Sequence, residues 1–270
     1  MSDSEVTYVD HMGSDLSVVN AARVSFGKVS EELTDRDKGL IRFLARGCMS
    51  GDWKKMLTDM AEHSDPDEIE KIAHYIKQMP THWTPFGHTS VTIHVKAPIF
   101  VARQLGKHQV GLVWNEISRR YVDEEPELYT PFVWRERAPS VKQGSGDTPV
   151  DLVEYYLDGA KIPDEDIGTE IEVEHPSLGE ALDAYNYNAQ FMYAAMLKAG
   201  VCPEQARMIL PQSMMTEWYW TGSLYAFANV FVQRVLDPHA QAETREVADL
   251  IGDIVEPLFP VSFNALVHGR

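Results

Sequence analysis

Between Lys96 and Tyr121 the chain reads KAPIFVARQLGKHQVGLVWNEISRRY, and Arg103, Lys107, His108, Arg119 and Arg120 gather there around the pair Asn115 and Glu116. The chemistry that suits such a group is anion binding. Arginine holds a phosphate through parallel hydrogen bonds, and lysine adds a mobile point charge. Ser118 can donate to a phosphate oxygen, while Glu116 can accept from a sugar hydroxyl or a ring N–H. A surface salt-bridge network around a helix would use the same spacing, and spacing alone leaves both readings open. A second basic group comprises Arg207, Arg234, His239 and Arg245. Arg234 falls near the end of a long apolar segment, where a guanidinium also complements a helix dipole. Ser223 and Asn229 lie on that segment, on different helical faces.

Other chemistries have weaker support. His82, His88 and His94 lack a compact metal-ligand spacing, and no HExxH is present, so hydrogen bonding to the fold or to an organic ligand is expected of them. No GxGxxG follows a strand, and neither GxxxxGK[ST] nor a serine-hydrolase elbow occurs. With 41 acidic and 24 basic residues the formal charge is -17, which argues against sequence-independent nucleic-acid binding. A small phosphorylated ligand remains compatible, because a few converging arginines dominate a local field. Cys48 and Cys202 supply neither a disulfide framework nor a zinc or iron-sulfur cluster, which points to a reducing compartment. The segment MSDSEVTYVDHMG has no basic start or apolar core, and no later run approaches the ~20 apolar residues of a membrane span. A cytoplasmic protein with no membrane partner is expected.

The elements that must position these residues follow from periodicity. Glu5 to Val9 suits a strand, and Leu16 to Phe26 is ambiguous between strand and helix. Thr34 suits an N-cap for a helix over Asp35 to Arg46, with Gly47 as its stop. Trp53 to Glu62 and Pro66 to Ile76 suit helices, and HWTPFGH a loop. Val91, Ile93 and Val95 alternate with polar residues, as in a strand. Pro98 suits the start of a helix through Leu105 that would put Arg103 and Lys107 on one face. Asn115 to Arg120 suits a short helix or turn in which Glu116 and Arg120 are neighbours. Asp123 to Glu127, Ser140 to Asp147 and Pro163 to Glu174 read as solvated connections. Leu178 to Lys198, Glu204 to Ile209, Glu217 to Val235 and Ala240 to Ile254 read as helices. Trp218, Tyr219, Trp220, Tyr225 and Phe227 suit a core. No repeat or linker divides the chain, so one α+β domain over residues 1–270 with a helical C-terminal half is expected.

The blocks HMGSDLSVVNAARVSF, HWTPFGHTSVTIHVKAPIFVARQ, NEISRRY, ARMILP and HAQAETRE together resemble flavin-dependent thymidylate synthase, the ThyX family, in family order over most of the chain. The resemblance implies a mixed α/β homotetramer with active sites shared between chains. It also implies FAD, dUMP, methylenetetrahydrofolate and NADPH as ligands. The implied reaction is reduction of FAD by NADPH, transfer of the folate methylene toward C5 of dUMP, and hydride delivery that yields dTMP. No enzymic cysteine nucleophile is needed. A noncatalytic flavin- or nucleotide-binding protein on the same scaffold is the alternative.

By motif position the resemblance assigns Gln104, Lys107, Glu116, Ser118, Arg120, Arg207 and Arg234 to dUMP. It assigns His82, Thr84, Lys107, His108, Gln109, Asn229 and His239 to the flavin. It also gives Arg234 a part in polarising the uracil ring, where a guanidinium would stabilise developing negative charge. The chain departs from the family pattern in several places. Lys107 and Gln109 stand where the signature has arginines, and the segment up to Ser118 is one residue longer. Gly87 replaces a common Glu, and Ser223 and Tyr225 replace a common Asn and Arg. The gap from Arg234 to His239 is also one residue longer.

Overall fold

The computed structural model describes residues 3–48, 58, 60–62, 65–78, 81–138, 144–155 and 176–269. Along the chain these form β1 (Glu5–Met12), α1 (Asp15–Arg23), α2 (Asp35–Ala45), α3 (Pro66–Gln78), β2 (Ser90–Pro98), α4 (Ile99–Leu105) and β3 (Leu112–Glu116). They continue as β4 (Trp134–Arg137), β5 (Ser145–Val150), α5 (Leu178–Lys198), α6 (Pro203–Ala206), β6 (Met215–Gly222), α7 (Leu224–Arg234), α8 (Ala242–Leu258) and α9 (Pro260–His268). The result is the expected mixture of helix and sheet with a largely helical C-terminal half. By its internal contacts the chain divides into two compact units, each discontinuous in sequence. One holds Ser4–Lys96, Arg103–Asn115 and Glu217–Arg270, and the other holds Met1–Asp3, Ala97–Ala102 and Glu116–Thr216.

A four-stranded sheet in the order β1-β2-β6-β3 underlies the first of these units. β1 runs antiparallel to β2, from Glu5 opposite Lys96 to Met12 opposite Ser90, with an irregularity between Tyr8 and Asp10. In β2 the alternation seen in sequence becomes physical, because Val91, Ile93 and Val95 are buried while Thr92, His94 and Lys96 lie on the other face. Burying alternate β-branched side chains fixes the register, since a slip of one residue would expose all of them.

The expected helix from Glu217 to Val235 is corrected at its first part. Residues 215–222 are strand β6, and helix α7 begins only at Leu224. The pattern there has period two: Trp218 and Trp220 are buried and Tyr219 is exposed. The Trp114 ring stacks on Trp218 with centroids 4.1 Å apart. Glu217, on the opposite face, meets His94 of the neighbouring strand at 2.9 Å. Aromatic cross-strand pairing of this kind stabilises a sheet and outweighs a helical reading of the same residues. Ser223 then starts α7, its Oγ accepting from the Ala226 N–H at 3.2 Å.

α1 settles the ambiguous segment as a helix, followed by a short 3-10 turn over Val24–Phe26. The buried Asp15 carboxylate accepts from the backbone N–H groups of Val261 at 2.9 Å and Ser262 at 2.8 Å, which caps the start of α9. α2 begins at the expected cap: Thr34 Oγ1 accepts from the Asp37 N–H at 3.3 Å, and the Asp37 carboxylate accepts from the Thr34 N–H at 3.1 Å. α8 buries Thr244, Val247, Ala248, Ile251 and Val255 along one stripe. A Cβ on Gly252 would stand 2.3 Å from the Phe231 ring, so α7 and α8 pack closely only because that position has no side chain.

In the other unit, β4 and β5 pair antiparallel, with Trp134 opposite Val150 and Arg137 opposite Ser145. The reading of Ser140 to Asp147 as a plain connection is thus corrected from Ser145 onward, while residues 139–143 lie outside the described residues. α5 spans the expected Leu178–Lys198. Ser177 and Glu180 form its capping box, the Ser177 N–H donating to Glu180 Oε2 at 2.9 Å. The segment Trp53 to Glu62 falls largely, and Pro163 to Glu174 wholly, outside the described residues.

Candidate active site

In the unit that contains the sheet, α4 ends at Leu105 and the chain turns through Gly106 to Gly111 before entering β3. Gly111 has φ +74°, a conformation that a side chain disfavours, and its carbonyl accepts from the Ser223 N–H at 3.2 Å. A Cβ on Gly222 would lie 2.9 Å from that same carbonyl oxygen, so the turn rests directly on the end of β6. Lys107 and Gln109 stand exposed on this turn. The expectation that Arg103 and Lys107 share a helical face is corrected, because the helix has ended before Lys107.

His108 on the same turn is half-buried and faces α7. Arg234 Nε donates to His108 Nε2 at 3.0 Å, and Arg234 Nη2 donates to the Gln104 carbonyl at 3.1 Å. Burial, and next the positive charge of Arg234, push the His108 pKa down to about 4. Its imidazole is therefore neutral at neutral pH, with the ring proton on Nδ1 because Nε2 accepts. The Gln104 side chain bonds Gln241, whose Nε2 donates to Glu243 Oε2 at 2.9 Å.

The remaining flavin-side candidates lie in the same unit. Asn229 sits on α7, its Oδ1 accepting from Gln233 Nε2 at 2.9 Å. His239 is exposed on a turn closed by its own N–H donating to Asp237 Oδ1 at 2.9 Å. Arg245 braces that turn, since Nη2 donates to the carbonyls of Asp237 and Pro238 at 3.1 Å each and of Ala240 at 3.3 Å. Arg245 thus ties down the loop that carries His239. His82 is half-buried with its ring 5.8 Å from Phe43, and Thr84 opens the 3-10 turn Thr84–His88. Among the described residues no three His, Cys, Asp or Glu side chains are placed to hold a metal ion.

The other unit carries Glu116, Ser118, Arg120 and Arg207 of the nucleotide-side candidates. Glu116 closes β3, its Oε1 accepting from Thr216 Oγ1 at 2.6 Å. The next residues turn, one of the two forms expected of them. Ser118 Oγ accepts from both N and Nε of Arg120 at 3.4 Å, and the Tyr121 N–H donates to the Ser118 carbonyl at 2.9 Å. The Arg120 guanidinium lies 5.0 Å from the centroid of the Tyr121 ring. Arg207 is exposed at the head of a 3-10 turn, its Nε donating to the Glu204 carbonyl at 3.4 Å. Arg119 is engaged with the Glu124 carbonyl. The exposed Arg120 and Arg207, with Ser118, offer charged and neutral donors of the kind that hold phosphate.

A family model described as "Thymidylate synthase complementing protein" matches residues 7–261. The chain belongs to the flavin-dependent thymidylate synthase family. Relatives bearing that name include one from Thermus thermophilus, 32% identical over 260 residues that cover 96% of this chain and 74% of the relative. Another, from Thermosipho africanus, is 32% identical over 259 residues that cover 96% and 89%. Such relatives are methyltransferases, and this chain is an enzyme of that kind. The fold is shared with the UMP/dUMP methylase PolB from Streptomyces cacaoi, at a TM-score of 0.65 and 24% identity over 99% of this chain and 96% of that one.

Within the flavin-dependent thymidylate synthase family the departures at Ser223 and Tyr225 have local explanations. Ser223 caps α7. Tyr225 donates from its hydroxyl to the Cys48 carbonyl at 3.0 Å and lies with its ring 5.4 Å from Trp83. Burial, and next the neighbouring Cys48, raise the Tyr225 pKa, so the phenol is a neutral donor. A Cβ on Gly87 would meet the Trp83 ring at 3.4 Å, an ordinary contact, so nothing in the structure explains that glycine. Gln241, Glu243 and Thr216 were not singled out in sequence. HAQAETRE contained the first two, but only their partner, 137 residues away in the case of Gln241, shows what they do.

Proposed function

We propose that this enzyme converts dUMP to dTMP, with methylenetetrahydrofolate as carbon donor, FAD as bound flavin and NADPH as reductant. The observation that carries the reading is Arg234 fixed at both Nε and Nη2 beside a neutral His108, within a chain of the flavin-dependent thymidylate synthase family. PolB is described as a UMP/dUMP methylase and was crystallised with 5-Br dUMP, which agrees with a pyrimidine nucleotide as substrate.

Arg120, Arg207 and Ser118 supply the donors for the phosphate, and Lys107 adds a mobile positive charge. Glu116 accepts from the sugar or the ring, and Gln104 hydrogen-bonds the nucleotide. Arg234, held rigid by His108 and Gln104, stabilises negative charge on the uracil, which is the catalytic contribution assigned to it here. The flavin side fits by its donor chemistry. The Nδ1–H of His108, the hydroxyl of Thr84, the amides of Asn229 and Gln109, and the imidazoles of His82 and His239 match the nitrogen and oxygen edges of an isoalloxazine. Flavin, when bound, supplies hydride transfer. The protein holds ring and nucleotide in register and needs no cysteine nucleophile.

The residues of 1–270 act as one catalytic domain in this reading, and four copies assemble with active sites that draw on more than one chain. Support comes from α5, where Tyr187 and Phe191 are exposed on one side of the helix and Tyr185 and Met192 on another, more large apolar exposure than water-facing helices usually carry. The enzyme works in the cytoplasm without membrane or nucleic-acid partners. Among the described residues no helix is long and apolar enough to cross a membrane, and Cys48 and Cys202 form no disulfide.

The decisive experiment records the flavin spectrum of purified protein, then supplies dUMP, methylenetetrahydrofolate and NADPH anaerobically and assays dTMP. A flavin spectrum without dTMP would overturn the reading in favour of a noncatalytic flavin- or nucleotide-binding protein. Light scattering should give a mass near four protomers, and a fully active monomer would overturn the shared site.

A further inference from the structure

Gln104, Gln241 and Glu243 form a hydrogen-bonded chain with a fixed polarity. Gln104 Nε2 donates to Gln241 Oε1, and Gln241 Nε2 donates to Glu243 Oε2 at 2.9 Å. Glu243 is only 8% exposed and lies in the first turn of α8, where the helix dipole favours negative charge. A carboxylate accepts and does not donate. Gln241 must therefore turn its NH2 group to Glu243 and its carbonyl to Gln104. Gln104 must in turn point its NH2 group at Gln241, which leaves its Oε1 on the other side of the amide. Without this chain a glutamine could flip and present either a donor or an acceptor at almost equal cost.

We propose that Gln241 and Glu243 are positioning residues that lock the Gln104 carboxamide so that its Oε1 accepts a hydrogen bond from the nucleotide. The inference rests on the reading of Gln104 as a substrate-side residue and adds what that residue recognises: an N–H or O–H donor, and not an acceptor. In dUMP the donor is either the ring N3–H or the 3′-hydroxyl. The backbone of the same residue holds Arg234 through its carbonyl at 3.1 Å, so the lock is attached to the group that faces the uracil. A site built to accept one hydrogen bond discriminates strongly against an analogue that cannot donate it.

The test titrates flavin-loaded, full-length protein with dUMP, with dCMP, whose N3 carries no hydrogen, and with 2′,3′-dideoxyuridine monophosphate, which lacks the 3′-hydroxyl. Glu243→Gln keeps the shape but adds an NH2 group, which lets the whole chain reverse. It should weaken dUMP binding about 3- to 10-fold. It should also erase the wild-type preference for dUMP over one analogue. Loss of the preference against dCMP identifies N3–H as the donor, and loss against the dideoxy compound identifies the 3′-hydroxyl. Gln241→Ala, which leaves the buried carboxylate in place, should give the same change in selectivity and carries the test if Glu243→Gln does not fold. Neither change should weaken dUMP further in a Gln104→Ala background. Unaltered affinity and selectivity in the folded variants, or an equal loss in the Gln104→Ala background, would overturn the lock. Unaltered dUMP affinity in Gln104→Ala alone would instead overturn the substrate-side assignment of Gln104.

Discussion

Arg234 donates from Nε to Nε2 of His108 across 3.0 Å, joining residues 126 positions apart. A guanidinium can only donate, so the imidazole must be the acceptor and must be neutral. The pair fixes one tautomer of His108 and one orientation of the Arg234 guanidinium.

This arrangement predicts an acid-sensitive histidine. Burial and then Arg234 lower the His108 pKa from 6.5 to about 4. Between those values the unfolded chain binds a proton that the folded one refuses, so stability falls as pH drops through this window and is complete above it. Histidine NMR titration of the folded protein should find His108 still neutral at pH 5. A midpoint near the ordinary value would show that the bond to Arg234 does not persist in solution.

Arg120→Ala and Arg207→Ala should each remove charge-assisted hydrogen bonds worth roughly 1.5–3 kcal/mol. That corresponds to dUMP binding weaker by about 10- to 150-fold in flavin-loaded protein. Flavin absorbance should suffer less in Arg207→Ala than in His108→Ala. Unchanged dUMP affinity in both arginine variants would move the anion site elsewhere.

Arg245→Ala should loosen the turn that carries His239, because one Nη2 serves the carbonyls of Asp237, Pro238 and Ala240. The expected result is weaker flavin retention with the fold kept, read as flavin absorbance after gel filtration beside circular dichroism. Wild-type retention would show that the turn holds without its brace.

Asp37 is 1% exposed and accepts from the Thr34 and Ser30 hydroxyls at 2.6 and 3.2 Å, with Arg23 as its ion pair. Chiefly through the Thr34 hydroxyl, its pKa falls from 3.8 to about 2. The stability this contributes is present above 3.8 and lost as pH falls through 2. Asp37→Ala should cost roughly 3–5 kcal/mol by leaving Arg23 without its counter-charge. Urea denaturation measures it, and a loss under about 1 kcal/mol, the typical scale of an exposed pair, would contradict a buried role.

The amino-acid sequence by itself determined the elements whose causes are local. Thr34 with Asp37 and Ser177 with Glu180 cap helices over three residues, and Leu178–Lys198 runs unbroken to Gly200, whose φ of +89° ends it. Val91, Ile93 and Val95 declare a strand by alternation alone. The ordered family motifs likewise pointed to the family, whose model matches residues 7–261. Only the tertiary structure decided the rest. Residues 215–222 are strand because their tryptophans find a sheet partner in Trp114, and Lys107 stands on the turn after α4 rather than on the helix. The charge state of His108, the task of Arg245 and the polarity of Gln104 each depend on a group brought close by folding. Hydrogen-bond direction and desolvation act over a few ångströms of space, and no window of neighbouring residues contains that distance.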